Sequence, residues 1–385
     1  MTITTRQRFY ILVLIVAISG FSQGMLLPLI SIIFEQDGVN ATLNGLSATG
    51  LYIGTLLVSP FMEAPLRKWG YKPIILVGGL LVIISLALFP LWKSVLFWFI
   101  LRLLIGIGDH ALHFSTQTWI TSTSPKDRLG KNIALYGLSF GLGFAVGPLL
   151  VPLVSIHEGL PFVVSSVLCL IAWSFVFFLK NDFPETYTTK SLSSAGRFKA
   201  SFVIAWVAFL PPLSYGFLES SLHAIFPVYS LRQGIEVANV SIILAAFSIG
   251  GVVSQLPLGA LSDRFGRRPM LVILLAGGAI AFFIGGLFET YVIAIIISFF
   301  VAGLFVGSMF SLGIAYMTDL TPKALLPTGN LLCGIAFSVG SLTGPFAGGL
   351  FLQFTSSISF LWLVSGLLLL IMLPIALRKP VPVSS

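Results

Sequence analysis

The segment Arg102–Gln117, RLLIGIGDHALHFSTQ, puts a guanidinium, a carboxylate and two imidazoles into a run otherwise apolar enough to cross a bilayer. Ionisable groups in hydrocarbon cost about 2.5–3.5 kcal/mol each on insertion scales. They persist where they face a bundle interior or a watered path, so they mark candidate ion or substrate sites. At 100° per residue, a helix brings Arg102, Gly106, Asp109, His113 and Gln117 within about 80° of arc, with His110 on the flank. Of the 13 acids, Asp109 and Glu219 are the two that fall inside apolar runs. His113 follows Asp109 by one helical turn and His223 follows Glu219 by one turn, so each imidazole can reach its acid on one face. Imidazole titrates near neutral pH and can pass protons; the other reading of these histidines is a buried polar group satisfied by its neighbours. Gln23, Gln117, Asn132, Tyr136 and Ser308 add polar atoms on apolar segments and are candidates for substrate contact. Phe299 and Phe310 are candidates for an apolar wall facing a hydrophobic substrate. Two acid/histidine pairs also suit a metal, but nothing in the sequence brings them together, and no metal is expected.

The elements that must position these groups are membrane helices. The chain has 385 residues, 57% hydrophobic and 9% charged, with mean hydropathy +1.03, a balance that no domain with a fully solvated surface shows. The class is all-α membrane protein. The first apolar run, Phe9–Phe34, exceeds a signal-peptide h-region and is read as a retained span. Twelve spans are expected at 9–34, 43–62, 73–92, 95–120, 133–154, 160–179, 201–229, 238–258, 269–288, 291–317, 328–351 and 357–377. With the N-terminus in the cytoplasm, every one of the 21 Lys and Arg lies on a cytoplasmic segment except Lys93, Arg232 and the intramembrane Arg102. That asymmetry orients the chain, with both termini cytoplasmic. It also explains the +8 net charge without nucleic acid, since no aromatic reading surface accompanies the basic residues. Cys169 and Cys333 lie in apolar runs and are expected to be free.

A polar segment, 180–200, separates six spans from six. The expected organisation is an N-terminal bundle at 1–179, a cytoplasmic linker at 180–200 and a C-terminal bundle at 201–385. A shift of about 196–197 positions aligns Ser124-Pro125-Lys126 with Thr321-Pro322-Lys323. It also aligns Gly137, Gly143, Gly147 and Pro148 with Gly334, Gly340, Gly344 and Pro345, and Gly70 and Pro73 with Gly266 and Pro269. Six spans per half make this a parallel repeat, the arrangement of alternating-access carriers with a site at the repeat interface.

After span 8 the chain reads Gly259-Ala-Leu261-Ser-Asp263-Arg264-Phe-Gly266-Arg267-Arg268-Pro269. This resembles the cytoplasmic loop motif of the major facilitator superfamily, G-x-L-x-D-R-x-G-R-R. The resemblance implies a conformational latch: glycines that let helix ends approach, Asp263 against the positive end of a neighbouring helix, and Arg264, Arg267 and Arg268 on the cytoplasmic face. The corresponding stretch after span 2 keeps Gly70 and its basic residues but has Glu63 and Arg67 where the motif has glycine and aspartate. Arg102 and Gly106 resemble the family's R-x-x-x-G motif, associated with proton-coupled members. Gly143, Gly147 and Pro148 resemble the glycine/proline motif of its antiporters, completed more fully by Gly340, Gly344, Pro345, Gly348 and Gly349 in span 11. These small residues also serve helix packing.

In the resembled fold, spans 1, 4, 7 and 10 line a central cavity, and Arg102 and Glu219 share a depth, so they could face one another there. The approach and departure of a cation changes how tightly a carboxyl holds its proton. Asp109 or Glu219 is therefore the expected proton carrier, with Arg102 competing for the carboxylate. The function implied is a monomeric, proton-coupled antiporter in the cell membrane that exports an amphipathic small molecule. The alternative is an uptake symporter for a small polar or anionic solute bound by Arg102. The sequence has no G-x-x-x-x-G-K-[ST] and no visible catalytic constellation, so a proton gradient rather than ATP is the expected energy source. Neither a cofactor nor enzymatic activity is expected, and a non-transporting sensor or intramembrane enzyme is a remote reading.

Overall fold

A computed structural model describes residues 4–124, 129–183, 194–322, 325–355 and 358–377. Among these residues twelve helices are long and apolar enough to cross a membrane, as expected. They are α1 Thr5–Gln36, α2 Ala41–Phe61, α3 Tyr71–Leu91, α4 Val95–Ile120, α5 Leu135–Ser155, α6 Leu160–Phe178, α7 Gly196–Arg232, α8 Val237–Phe265, α9 Arg267–Leu287, α10 Val292–Leu320, α11 Thr328–Phe354 and α12 Phe360–Leu377. The chain divides into two compact units, Met1–Tyr187 and Thr188–Ser385, and the division lies within 180–200. Residues 184–193 of that segment, and Pro125, Lys126 and Lys323 of the repeated triplets, fall outside the described residues.

Local chemistry sets the helix ends. A capping box opens α1, where Thr4 Oγ1 accepts from Gln7 N–H at 3.2 Å and Gln7 Oε1 accepts from Thr4 N–H at 2.9 Å. Asn40 caps α2 by accepting from Leu43 N–H at 2.8 Å. Gly266 ends α8 with φ +88° and Gly70 ends the short helix Glu63–Trp69 with φ +82°, both in the left-handed region that favours glycine. One expectation changes here. Gly259–Phe265 is the last two turns of α8 rather than a loop, because nothing before Gly266 interrupts the helix.

Each unit is closed by seams of glycine. In the first, a Cβ at Gly20 or Gly24 of α1 would overlap the carbonyls of Phe140 or Phe144, and one at Gly143 or Gly147 of α5 would overlap those of Ala17 or Phe21. The second unit repeats the seam between α7 and α11, where Gly216 meets the Phe337 carbonyl and Gly340 and Gly344 meet those of Leu213 and Phe217. A second matching pair joins α2 to α4 through Gly54 and Gly106, and α8 to α10 through Gly250 and Gly303. With no apolar driving force between helices in lipid, such backbone approach is what holds a bundle together. The repeat read in the sequence is thus a repeat of contacts.

The seams diverge at proline. After Pro148, a second proline at 152 removes another N–H, and α5 continues as a 3₁₀ helix over Gly147–Ser155. Where Gly348 and Gly349 stand instead, α11 stays α-helical past Pro345 to Phe354.

A basic residue at the start of the third helix of each unit caps the last one. Lys72 Nζ donates to the Phe177 and Leu179 carbonyls at 2.9 and 2.7 Å. Arg268 Nε donates to the Ile375 carbonyl at 2.9 Å, and its Nη2 donates to that of Ala376. These carbonyls end α6 and α12, where cations satisfy unpaired acceptors and oppose the helix dipole. Arg268→Ala is expected to destabilise the purified protein by about 1–2 kcal/mol. The exposed Arg264, changed to Ala, should stay within about 0.5 kcal/mol; thermal unfolding of the two variants checks the difference.

On the opposite face of the first unit, Lys93 bridges Asp37 at 2.7 Å and Glu158 at 2.9 Å. Partial burial lowers its pKa, but the bonds to the two carboxylates outweigh that and hold the ammonium above its ordinary value.

Candidate functional site

The polar stripe on α4 divides into two parts. Arg102 is fully buried, and its Nη1 donates to Ser47 Oγ of α2 at 3.2 Å. Its Nε and Nη2 have no hydrogen-bond partner among the described residues. Asp109 lies two turns further along and turns toward α1 instead. Seven residues of helix separate the two groups by about 10 Å of rise, and each is held by a different neighbouring helix.

Around Asp109 a hydrogen-bonded chain crosses three helices. Ser19 Oγ of α1 donates to Asp109 Oδ1 at 2.7 Å and lies 3.0 Å from His113 Nε2. His113 Nδ1 lies 2.8 Å from Tyr136 Oη of α5. With Ser19 donating to the carboxylate, its oxygen is free to accept from Nε2–H, which leaves Nδ1 to accept from the Tyr136 hydroxyl. His113 therefore reaches its acid through Ser19 rather than directly. The side chain of Gln23, one turn beyond Ser19, approaches the same carboxyl. The glycine seam between α1 and α5 brings Ser19 and Tyr136 close to one another. Gly20, next to Ser19, meets the Phe140 carbonyl one turn beyond Tyr136.

Several expected members lie elsewhere. His110 stacks on Phe114, its own neighbour one turn on, with centroids 6.2 Å apart. Gln117 is exposed, outside this cluster. Phe299 is fully buried in an aromatic core with Phe226, Phe282 and Phe247, at centroid distances of 4.4, 5.6 and 6.3 Å. It is a packing residue of the second unit rather than a cavity wall. Phe310 is partly buried and meets Phe337 edge-on at 5.2 Å.

In the second unit, Tyr215 donates to Glu219 Oε1 at 3.4 Å. His223 Nδ1 donates to the backbone carbonyl of Glu219 at 2.8 Å, so the expected bond to the carboxyl is replaced by one to the main chain. The helix then breaks at Ile225, and Pro227, which has no N–H, cannot continue the ladder to the His223 carbonyl. A second break falls at Gly307–Ser308 in α10, and Ser308 is buried there. Helices broken at membrane depth are where transport folds expose backbone to solutes.

The motif at the end of α8 ties α8 to α9 and α10. Asp263 pairs with Arg267, the first residue of α9, and Arg267 also bonds Ser262 and lies 3.7 Å from Asp319. A Cβ at Gly259 would meet nothing, so this glycine brings no helix close. In the first unit, the side chain of Glu63, at the motif's first glycine position, lies outside the described residues.

Ser19, Ser47 and Tyr215 were missed in the sequence. A signal existed, since the repeat shift that pairs Gln23 with Glu219 also pairs Ser19 with Tyr215. Both place a hydroxyl one turn before that position.

The sequence profile of the Major Facilitator Superfamily matches residues 12–239 and 200–385. The chain is 58% identical over 379 residues to the MFS-type transporter YfkF of Bacillus subtilis (strain 168), covering 98% of this chain and 96% of that one. Among solved structures, a variant of the nucleoside transporter NupG superposes with TM-score 0.79 at 14% identity, covering 96% and 99% of the two chains. A bacterial homologue of the human lysosomal transporter Spinster, solved inward-facing and unoccupied, gives TM-score 0.72 at 14% identity and covers 98% of each. The protein is a membrane transporter, not an enzyme, and it belongs to the Major Facilitator Superfamily.

Proposed function

We propose that the chain couples proton movement to alternating-access transport, with Asp109 in the first unit and Glu219 in the second as the proton-carrying groups. The observation that carries this reading is the Asp109 carboxyl, buried and bonded to Ser19, with no cation among the polar side chains of the described residues that reach it. A carboxyl so placed can change its protonation without breaking an ion pair. The direction is efflux by proton antiport of an amphipathic small molecule, and the glycine/proline pattern of α5 supports it. Both termini are cytoplasmic in this reading, the membrane is the cell membrane, and the working unit is a monomer.

A second reading, uptake of a small polar or anionic solute, is favoured by one observation. Arg102 has unused donors on Nε and Nη2, and a guanidinium suits planar anions and polar heterocycles. Proteoliposomes with an imposed pH gradient, tested in both polarities against lipophilic amines, nucleosides and organic anions, separate the two. Asp109→Asn and Glu219→Gln are each expected to lower gradient-driven accumulation by more than about tenfold, a change of about 1.4 kcal/mol or more and within the span of typical coupling free energies. Full accumulation in both variants would overturn the coupling reading.

A further inference from the structure

We propose that Asp109 exchanges its proton with the N-terminal face of the first unit through a three-residue relay, Tyr136–His113–Ser19, and that this relay is the carboxyl's route to the cytoplasm. The inference rests on the proton-coupled reading above and adds to it the path and the side from which the proton is exchanged.

The geometry has three parts. The chain of 2.7, 3.0 and 2.8 Å contacts is continuous from Asp109 Oδ1 to Tyr136 Oη. Tyr136 adjoins Leu135 and lies one turn beyond Asn132 on the helix Leu129–Val146 that leads into α5, and both Leu135 and Asn132 line a cavity of about 620 Å³. The cavity's remaining wall comes from α1, including Arg8, and from Ile120 at the end of α4 with Thr123 and Ser124 just beyond it. On its other side the carboxyl borders a small cavity of about 20 Å³, walled by Val82, Ile83, Leu112, Ala172 and Trp173 among others. That is room for about one water, between walls that are mostly apolar, with Ser19 and Cys169 as the polar members beside Asp109.

The groups around Asp109 are accounted for helix by helix. From α1 come Ser19 and Gln23, from α5 Tyr136, from α6 Cys169, and on α4 itself His110 and His113. The cavity wall contributed by α3, which includes Gly79, Val82 and Ile83, carries no ionisable side chain. Of the set, only Ser19, His113 and Tyr136 form a chain in which each member both donates and accepts.

The proton balance closes. With Asp109 ionised, Tyr136 O–H points to Nδ1, Nε2–H to Ser19 Oγ, and Ser19 O–H to the carboxylate. A proton arriving from cavity water at Tyr136 Oη displaces the phenolic proton to Nδ1. The Nε2 proton passes to Ser19 and the serine proton passes to Asp109. One proton enters and one reaches the carboxyl. Tyr136 and Ser19 regain their hydroxyls, and His113 changes from the Nε2–H to the Nδ1–H tautomer with no net charge. Release runs the same steps backward.

The test needs no substrate. In reconstituted full-length protein titrated between acid and alkaline pH, the protonated carboxyl band lost in Asp109→Asn identifies this group by infrared difference spectroscopy. Its rate of shift after transfer to D₂O is the readout. Ser19→Ala and Tyr136→Phe are each expected to slow that shift by roughly tenfold or more, and Ser19→Thr, which keeps the hydroxyl, to restore it. An unchanged rate in Ser19→Ala, or an Asp109 band absent at every pH, would overturn the relay. If wild-type protein shows no gradient-driven transport but the variants still slow isotope exchange, the proton-coupling reading fails and the relay stands.

Discussion

Gly143→Ala is expected to cost about 2–3 kcal/mol or more and to reduce the yield of monodisperse protein sharply, although it adds a single methyl group. The added Cβ would overlap the Ala17 carbonyl, a backbone atom on a helix that cannot rotate away as a side-chain tip would. To relieve the clash, α1 and α5 must part by roughly 1 Å, which loosens the seam along its length and incurs the overpacking penalty of a well-filled interior. Gly340→Ala in α11 meets the Leu213 carbonyl in the same way, so the two repeats should respond alike. The aligned pair Gly137 and Gly334 provides the control, since a Cβ at either meets nothing. There alanine should be neutral or stabilising by up to roughly 1 kcal/mol, through the lower backbone entropy it gives the unfolded chain. Thermal unfolding of the four variants in one detergent checks the set. Equal melting temperatures for Gly143→Ala and Gly137→Ala would mean that the seam does not hold the unit together.

The twelve spans were legible because their apolar runs are long and uniform and polar or turn-forming residues punctuate them, so hydropathy alone located each to within a few residues over most of the chain. The repeat was legible through glycines that stand at backbone contacts, as Gly143 and Gly340 show. Helix continuity was less so. Gly259 and Asp263 looked like loop chemistry, yet a glycine within an otherwise helix-compatible stretch does not end a helix in a bilayer, and the chain runs on to the positive φ of Gly266. Side-chain direction was legible only along one helix. The 100° rule set Arg102 and Asp109 within one narrow arc, but which neighbour each meets depends on how α1, α2 and α5 pack, and that information lies in other segments. Ser47 was invisible for the same reason, since a lone serine in an apolar run carries no periodic signal, and Ser19 was marked only by its repeat pairing with Tyr215. Phe299 shows the converse: an aromatic on span 10 suggested a cavity wall, whereas its burial among Phe226, Phe247 and Phe282 makes it core.

Arg102→Met is expected to leave the protein as stable as the wild type, or more stable by about 1–4 kcal/mol, while lowering gradient-driven transport by more than about tenfold. The residue is fully buried, yet the guanidinium spends one hydrogen bond on Ser47 at 3.2 Å and leaves Nε and Nη2 without a partner among the described residues. A desolvated cation with so few contacts is a net cost to folding, and methionine fills a similar length with no polar atom to satisfy. A structural role predicts the opposite sign, because removing one member of a well-paired buried network costs about 3–5 kcal/mol. The melting temperature and the transport rate of this one variant therefore separate the two roles. Stability kept and transport lost places Arg102 among groups that bind an anion or a carboxylate only during the transport cycle. Stability lost together with folded yield makes it an interhelical tie. Arg102→Lys sharpens the result, since it keeps the charge but loses the planar fork. If Arg102 grips a planar anionic group, transport should fall with lysine as well; if only a positive charge is needed at that depth, lysine should retain most of it.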